Sequence, residues 1–342
     1  MKRPGRAVTI PIVALLAAGC TSNGAAPHDP GKVVLPGKHV TVPGKLYATK
    51  GRSLYRFSGT HLTPLLAGMK VKDPAVSPEG AHLAVVQLQE QSSTIVVTDG
   101  AGKARQTITP SSGPEGALWA FAPDYSDDGQ RIVYLTDRGK QRSSPQNLQP
   151  NDLGVWSYDL ASGQTRRLVA PIPYTGGDSD PVFRPGVTDQ LLFTTYLYGG
   201  APLQPVARLT WMSTATMAMV YLSPDLARNS QPAFSPDGRF VAYIHAGAGS
   251  DDLYVMPLGP SFSRESRPYP TDGALLLQSG IISQPVWAPD GRAVAFLKLV
   301  NGSFDLFILP VSTDGTIHAS GKAEAVTHGS FLDADSRLAW SP

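Results

Sequence analysis

From about residue 45 to the end of the chain, apolar side chains alternate with polar ones in short runs, the period-two pattern of strands that bury one face. One recurring turn punctuates the runs: Pro74-Ala75-Val76-Ser77-Pro78-Glu79-Gly80, Pro123-Asp124-Tyr125-Ser126-Asp127-Asp128-Gly129, Pro181-Val182-Phe183-Arg184-Pro185-Gly186, Pro232-Ala233-Phe234-Ser235-Pro236-Asp237-Gly238 and Pro285-Val286-Trp287-Ala288-Pro289-Asp290-Gly291, with Leu338-Ala339-Trp340-Ser341-Pro342 closing the chain. Marked by the second Pro (or Asp127), the stations fall at 78, 127, 185, 236, 289 and 342, between 49 and 58 residues apart. Pro fixes φ at the first central turn position, Asp bonds the backbone ahead of it, and Gly takes the left-handed conformation that closes a hairpin. Strands rich in β-branched and aromatic residues leave the turns over 83–88, 131–136, 190–196, 240–245 and 294–298. Third strands follow over 94–98, 155–158, 253–256 and 306–309, and weaker fourth strands over 105–109, 166–169 and 323–327.

Four strands per period of about fifty residues predict one blade of a propeller. The last station supplies only an innermost strand, while 45–49, 53–57 and 61–66 fit the other three strands of a blade. Joined, they complete one blade and leave no open edge where the chain begins and ends. The expectation is an all-β fold, a six-bladed β-propeller closed by its N- and C-terminal strands. The pattern aromatic-Ser-Pro-Asp-Gly, then an Ile-Ala-Phe-like strand, then a Leu-Tyr-Val-Met-like strand resembles the TolB-type (WD-like) propeller repeat. It is closest over 234–256 and 287–309, and departs where Asp127 replaces Pro and Gly186-Val187-Thr188-Asp189 replaces Asp-Gly. The resemblance implies a scaffold that works in complexes of the cell envelope.

The residues ahead of the repeat divide into two. A basic start (Lys2, Arg3, Arg6), an apolar run of about 12 residues from Ala7 to Ala18, and small residues before Cys20 read as a signal peptide over 1–19. A spanning helix needs roughly 20 apolar residues. Cys20 is the chain's single cysteine; with its flanking small residues it resembles the lipobox of bacterial lipoproteins, which implies acylation of its thiol and a lipid anchor. Residues 20–44, rich in Gly, Pro, Ala, Ser and Thr, read as a tether, and 45–342 as the propeller. One cysteine excludes an intrachain disulfide. Lys plus Arg is 29 against 27 for Asp plus Glu; without the three basic residues of the leader the balance is near −1, which argues against nucleic acid as a partner.

Connections between second and third strands, and between blades, share one face of such a disk. Here they are the long ones: 110–120, 137–152, 170–179, 197–205, 271–283 and 328–336. Long loops on a rigid scaffold are where binding is usually built. On that face the residues before the inner strands, Asp73, Ala122, Asp180, Gln231, Gln284 and Arg337, ring the channel mouth. Nearby loops add Asp178, Asp333 and Asp335, and the aromatics Trp119, Tyr174, Tyr198 and Phe331. The competing role for the polar ones is plain hydrogen bonding to the neighbouring blade or to channel water.

The seven histidines form no His-Glu-x-x-His or His-x-His pattern, and there is no Gly-x-Ser-x-Gly elbow. The pairs Asp178/Asp180 and Asp333/Asp335 offer too few oxygens for a calcium cage by themselves. No metal or cofactor is expected. The expected function is a monomeric, membrane-anchored extracytoplasmic platform for a protein, a peptide or an envelope component. The alternatives are a carbohydrate-active hydrolase or lyase using channel-mouth carboxylates in acid–base catalysis, and a small-ligand or sugar sensor. If Cys20 carries the anchor, Cys20→Ser moves the protein from the membrane fraction to the soluble fraction, because nothing else in the sequence holds a bilayer. A leaderless C20S protein that still sediments with membranes rules the anchor out.

Overall fold

The computed structural model describes residues 40–114, 116–139, 152–172, 174–259, 268–313 and 316–342. The expected signal peptide, Cys20 and most of the expected tether lie outside the described residues. Among the described residues no helix is long and apolar enough to cross a membrane.

Among the described residues the strands assemble into six blade sheets, each built outward from an inner strand, and a separate two-stranded hairpin, Ser112–Gly113 with Gly116–Ala117. Blade one pairs the last strand, Ala339–Ser341, with Val42–Lys50, followed by Ser53–Gly59 and His61–Leu65. Blade two is Val71–Val76, His82–Leu88, Ser93–Asp99 and Ala104–Thr107, and blade three is Ala120–Tyr125, Arg131–Thr136, Gly154–Asp159 and Thr165–Arg167. Blade four is Asp178–Phe183, Gln190–Gly199, Gln204–Ser213 and Met219–Tyr221. Blade five is Asn229–Phe234, Phe240–Ala246, Asp251–Pro257 and Leu275–Gln278. In blade six, Ile282–Trp287, Ala293–Val300 and Ser303–Ser312 are followed by two short edge pieces, His318–Ala319 and Glu324–Ala325, both paired with the third strand.

The recurring turn is held together more fully than Pro, Asp and Gly alone require. Ser77, Ser126 and Ser235 each accept, through Oγ, the N–H of the residue five positions on, at 2.9 Å in all three turns. Asp128, Asp237 and Asp290 accept the N–H two positions ahead, at 3.0 to 3.1 Å. The glycines that follow, Gly129, Gly238 and Gly291, sit at φ between 66 and 71°, where a side chain is strained. The serine of the repeat is therefore a structural part of the turn.

The core is divided among the blade interfaces. Six separate apolar clusters occur, one at each seam. Tyr47, Leu54, Val71, Val85 and Val96 fill the seam between blades one and two; Val133, Leu135, Leu191, Phe193 and Met212 fill that between three and four. Each sheet buries both faces, so its central strands are apolar nearly throughout, as in Leu83 to Val86 and Val294 to Leu297.

Several loop expectations are corrected. Most of 197–205 is strand, because blade four extends its hairpin through Tyr198 and Gly199 to a turn over 200–203. The segment 271–283 contains the edge strand Leu275–Gln278 and the start of the inner strand Ile282–Trp287, so only part of it is loop. Residues 140–151 of the expected loop 137–152 lie outside the described residues.

Closure rests on three register pairs, Lys45 with Ser341, Leu46 with Trp340 and Tyr47 with Ala339, and on Trp340 Nε1 donating to the Pro43 carbonyl at 2.6 Å. Removing residues 337–342 strips blade one of its inner strand and exposes the edge of Val42–Lys50. The truncated protein should melt on the order of 10 °C or more lower, with aggregation. An unchanged melting curve sinks the closure assignment.

Candidate functional site

The head of each inner strand repeats one piece of geometry. Asp73, Ala122, Asp180, Gln231 and Gln284 have φ of 49, 48, 51, 55 and 55°, in the left-handed region that costs an L residue roughly 1–2 kcal/mol. Each precedes a proline, and each marks a break in register between its strand and the next. Such a bulge takes two residues out of the ladder. Because the second is a proline, only one N–H is released.

That N–H is taken up across the seam. Asp73 N–H donates to Ser336 Oγ at 2.9 Å, Ala122 N–H to Asp73 Oδ2 at 3.2 Å, Gln231 N–H to Thr194 Oγ1 at 3.2 Å, and Gln284 N–H to Gln231 Oε1 at 2.7 Å. The seam between blades three and four is closed instead by Phe183 N–H on Asp124 Oδ2 at 2.8 Å. Gln284 Nε2 donates to the Ala334 carbonyl at 3.1 Å, which brings in the segment leading to blade one. Gln231 and Gln284 line the channel, and Asp73, Gln231 and Gln284 have polar atoms bound to neighbouring blades.

Arg337 departs from the rule: no proline follows it and its φ is not left-handed. Its N–H donates to Asp73 Oδ1 at 3.1 Å, so this carboxylate joins blades one, two and three. Arg337 Nη1 reaches across the channel to the carbonyls of Ala122, Pro123 and Pro181 at 3.4, 3.3 and 3.2 Å. Burial raises the Asp73 carboxyl, with Lys72 and Arg337 opposing. Lys72 Nζ also donates to the Asp335 carbonyl at 2.7 Å and lies 5.5 Å over the Phe121 ring. Asp335 receives both ends of the Arg52 guanidinium at 2.9 Å; burial raises its carboxyl, but Arg52 and Lys72 outweigh that and hold it below the usual range. Asp333 accepts the N–H groups of Gly51 and Arg52 at 2.9 and 2.8 Å, so its oxygens too are spent on the fold.

Below the mouth lies a cavity of about 390 Å³ along the channel. Asp180, Gln231, Gln284 and Arg337 line it at the strand heads, Tyr125, Phe183, Phe234 and Trp287 along the strands, and the prolines of the turns at the far end. Asp124 also lines it, and it was absent from the expected site because it sits inside a strand. Burial pushes its carboxyl up to about 6, while Arg337 and the Phe183 N–H oppose.

Asp178 is the clearest correction. Expected in a loop beside the channel mouth, it opens the inner strand of blade four, is buried, and faces a different cavity on that blade. Asp178 and Asp180 therefore do not converge on one ion. Among the described residues no three His, Cys, Asp or Glu side chains gather to hold a metal. Of the aromatics, Trp119 is half-buried and stacks on Phe121 at 5.9 Å, whereas Tyr174, Tyr198 and Phe331 are 50, 55 and 48% exposed.

Six radiating four-strand blades around a channel, closed by strands from both ends, make the chain a TolB-like six-bladed β-propeller. No protein-family model matches it. Among solved structures it is similar to TolB from Acinetobacter baumannii, with a TM-score of 0.62 and 16% identity over 86% of this chain and 66% of that one. It is also similar to a putative TolB from Agrobacterium tumefaciens, with a TM-score of 0.54 and 14% identity over 83% of this chain and 90% of that one. A nidogen/laminin complex matches with a TM-score of 0.55 and 11% identity over 87% of this chain and 97% of that one. The chain spans just under two thirds of the Acinetobacter protein. At these identities the likeness is one of fold.

A carboxyl moved from 3.8 to about 6 binds its proton more tightly in the folded than in the unfolded state. Its contribution to stability therefore falls as pH rises from about 4 to 6, by on the order of 3 kcal/mol. Asp124→Asn keeps an acceptor for the Phe183 N–H and removes the titration. The stability difference between wild type and D124N, from urea melts at pH 4, 5, 6 and 7, should shift in favour of the variant across that window. A pH-independent difference would show that Asp124 is not the buried titrating group.

Proposed function

We propose that this chain is an extracytoplasmic binding platform, anchored through Cys20, that receives a partner protein on the face where the inner strands begin. The observation that carries the reading is the distribution of exposed apolar side chains among the described residues. Seven of the eleven exposed large apolar side chains, Ile172, Tyr174, Tyr198, Leu203, Leu226, Ile281 and Phe331, belong to the connections between blades or to the second-to-third-strand hairpin of blade four, while Met217, Met219, Leu275 and Leu276 lie at the outer strands of blades four and five. The connections and the hairpin share that face. Exposed apolar groups gathered on one side of a soluble domain mark an interaction surface, and aromatics are the usual anchors. The mouth at their centre supplies charge, with Arg52, Lys72 and Asp335 linked to one another. A propeller of this fold in a nidogen/laminin complex is in keeping with protein binding.

An enzyme is the second reading, and one observation favours it: the Asp124 carboxyl sits near 6 beside Arg337 in the channel cavity, a value suited to proton transfer. Its bond to Phe183 across the seam gives the same group a structural task.

Changing Tyr174, Tyr198, Leu203 and Leu226, all at least half exposed, to Ala should leave the melting temperature within a few degrees of wild type, since exposed sites contribute little to stability. It should cut capture of the partner that cross-links to the tagged full chain in envelope extracts by about thirtyfold. Asp180→Asn should leave capture intact. Undiminished capture by the four-residue variant removes this face as the docking surface. Loss of turnover on an oligosaccharide in D124N or D180N, with capture unchanged, would establish the enzyme instead.

A further inference from the structure

A second cavity, of about 510 Å³, lies on blade four away from the channel. Register pairs Asp178 with Thr195, Thr195 with Arg208 and Thr210 with Tyr221, which places these side chains on one face of the sheet. The repeat supplies a comparison for Asp178. Two residues ahead of the left-handed position, blades two, three and six bury Val71, Ala120 and Ile282. Blade five buries Asn229, whose amide is satisfied by Ser223 Oγ at 3.3 Å and His245 Nδ1 at 2.7 Å.

Blade four alone of these five puts a carboxylate there. Asp178 is 3% exposed. Its Oδ1 accepts from Thr195 Oγ1 at 3.0 Å, and Thr195 is tied to Thr210 at 2.8 Å. Its Oδ2 is buried with no partner in the structure. A buried acceptor left without a donor costs stability, and a charged one costs more. The nearest cation on this face, Arg208, is committed elsewhere: to the Ser223 carbonyl at 3.0 and 2.6 Å, to Asp225 at 2.9 Å, and to the Tyr221 ring at 3.9 Å. Arg166 points to Met217 Sδ and the Thr214 carbonyl. Around the cavity, Ile172, Met217 and Met219 are 42, 38 and 44% exposed, and thioethers adapt to apolar groups of varied shape.

We propose that the blade-four cavity binds an organic ammonium group carried on an apolar stem, with Asp178 Oδ2 accepting from the ammonium and Ile172, Met217 and Met219 covering the stem. A charge-assisted hydrogen bond is the strongest answer to a buried carboxylate oxygen, and the cavity volume falls among those of small-molecule sites. Of the two carboxylates that line the cavity, Asp225 is exposed and paired with Arg208, which leaves Asp178 Oδ2 as the buried acceptor, enough for one ammonium and too little for a metal ion. The site lies away from the channel and, of the residues that mark the platform face, shares Ile172.

The test titrates the full chain with hexylamine and 2-phenylethylamine at pH 8, and with hexanol and 2-phenylethanol as neutral counterparts, by calorimetry. The amines should bind saturably and at least about tenfold more tightly than the alcohols, and Asp178→Asn should weaken them about tenfold or more. Glu90→Gln removes an equal charge at an exposed position outside the cavity and should change affinity less than threefold or so. Met217→Ala with Met219→Ala, both exposed and therefore safe for folding, should weaken hexylamine severalfold. Burial pushes the Asp178 carboxyl up to about 7, with the Thr195 bond opposing, while an alkylamine stays charged to about 10; amine affinity should therefore fall between pH 8 and pH 6. No saturable binding, alcohols that bind as tightly as amines, or affinity unmoved in D178N or in the methionine pair would each overturn the proposal.

Discussion

The centre of this disk depends on single backbone N–H groups that bond from one blade to the next. Inner strands of a propeller radiate around a channel and do not pair with one another, so nothing in the ladders ties blade to blade at the centre. The left-handed residue at the head of the strand solves this by turning its N–H out of the ladder and toward the preceding blade. The proline after it keeps the bulge from exposing a second donor. The two features belong together: a left-handed residue without the proline leaves an orphan N–H, and a proline without the bulge breaks the ladder.

The same arrangement explains why polar residues sit where the channel looks catalytic. At five of the six seams a backbone donor meets a side-chain acceptor, and Asp73, Asp124, Thr194, Gln231 and Ser336 are those acceptors. Asp73 carries the most, taking one N–H from blade one and one from blade three. It does so where the chain's two ends meet, and Arg337 adds a bracket across the channel from the last few residues. Hydrophobic seams give the disk its stability, while these bonds fix the angle at which neighbouring blades meet.

Turn chemistry at a fifty-residue period was legible in the sequence, because Pro, Asp and Gly have narrow backbone preferences and repeat with the blade. Six blades and the shared closing blade followed from that spacing. The third strand of blade four was not legible: Gln204–Ser213 follows a glycine pair and Pro202, which read as loop, and only pairing with Gln190–Gly199 over its whole length reveals it. Asp178 was misplaced for a related reason, since a break in register hides which side of the sheet a residue faces. The position of Asp73, Gln231 and Gln284 at the heads of inner strands was legible from the proline that follows each. What their side chains bind depends on the angle between blades, which has no signature in local sequence.

The repeat separates residues that serve the fold from those that do not. A polar group that recurs with its partner at successive seams is explained once the seam is explained, and this covers Asp73, Gln231 and Gln284. Asp178 stands in a position filled elsewhere by Val71, Ala120, Ile282 or a fully bonded Asn229, and its second oxygen has no seam to close. In a fold where the same structural problem is solved six times, the informative residue is the one that breaks the common solution at a cost in buried charge. By that criterion blade four, with its elongated hairpin, exposed methionines and Asp178, is where the chain departs furthest from the needs of the propeller.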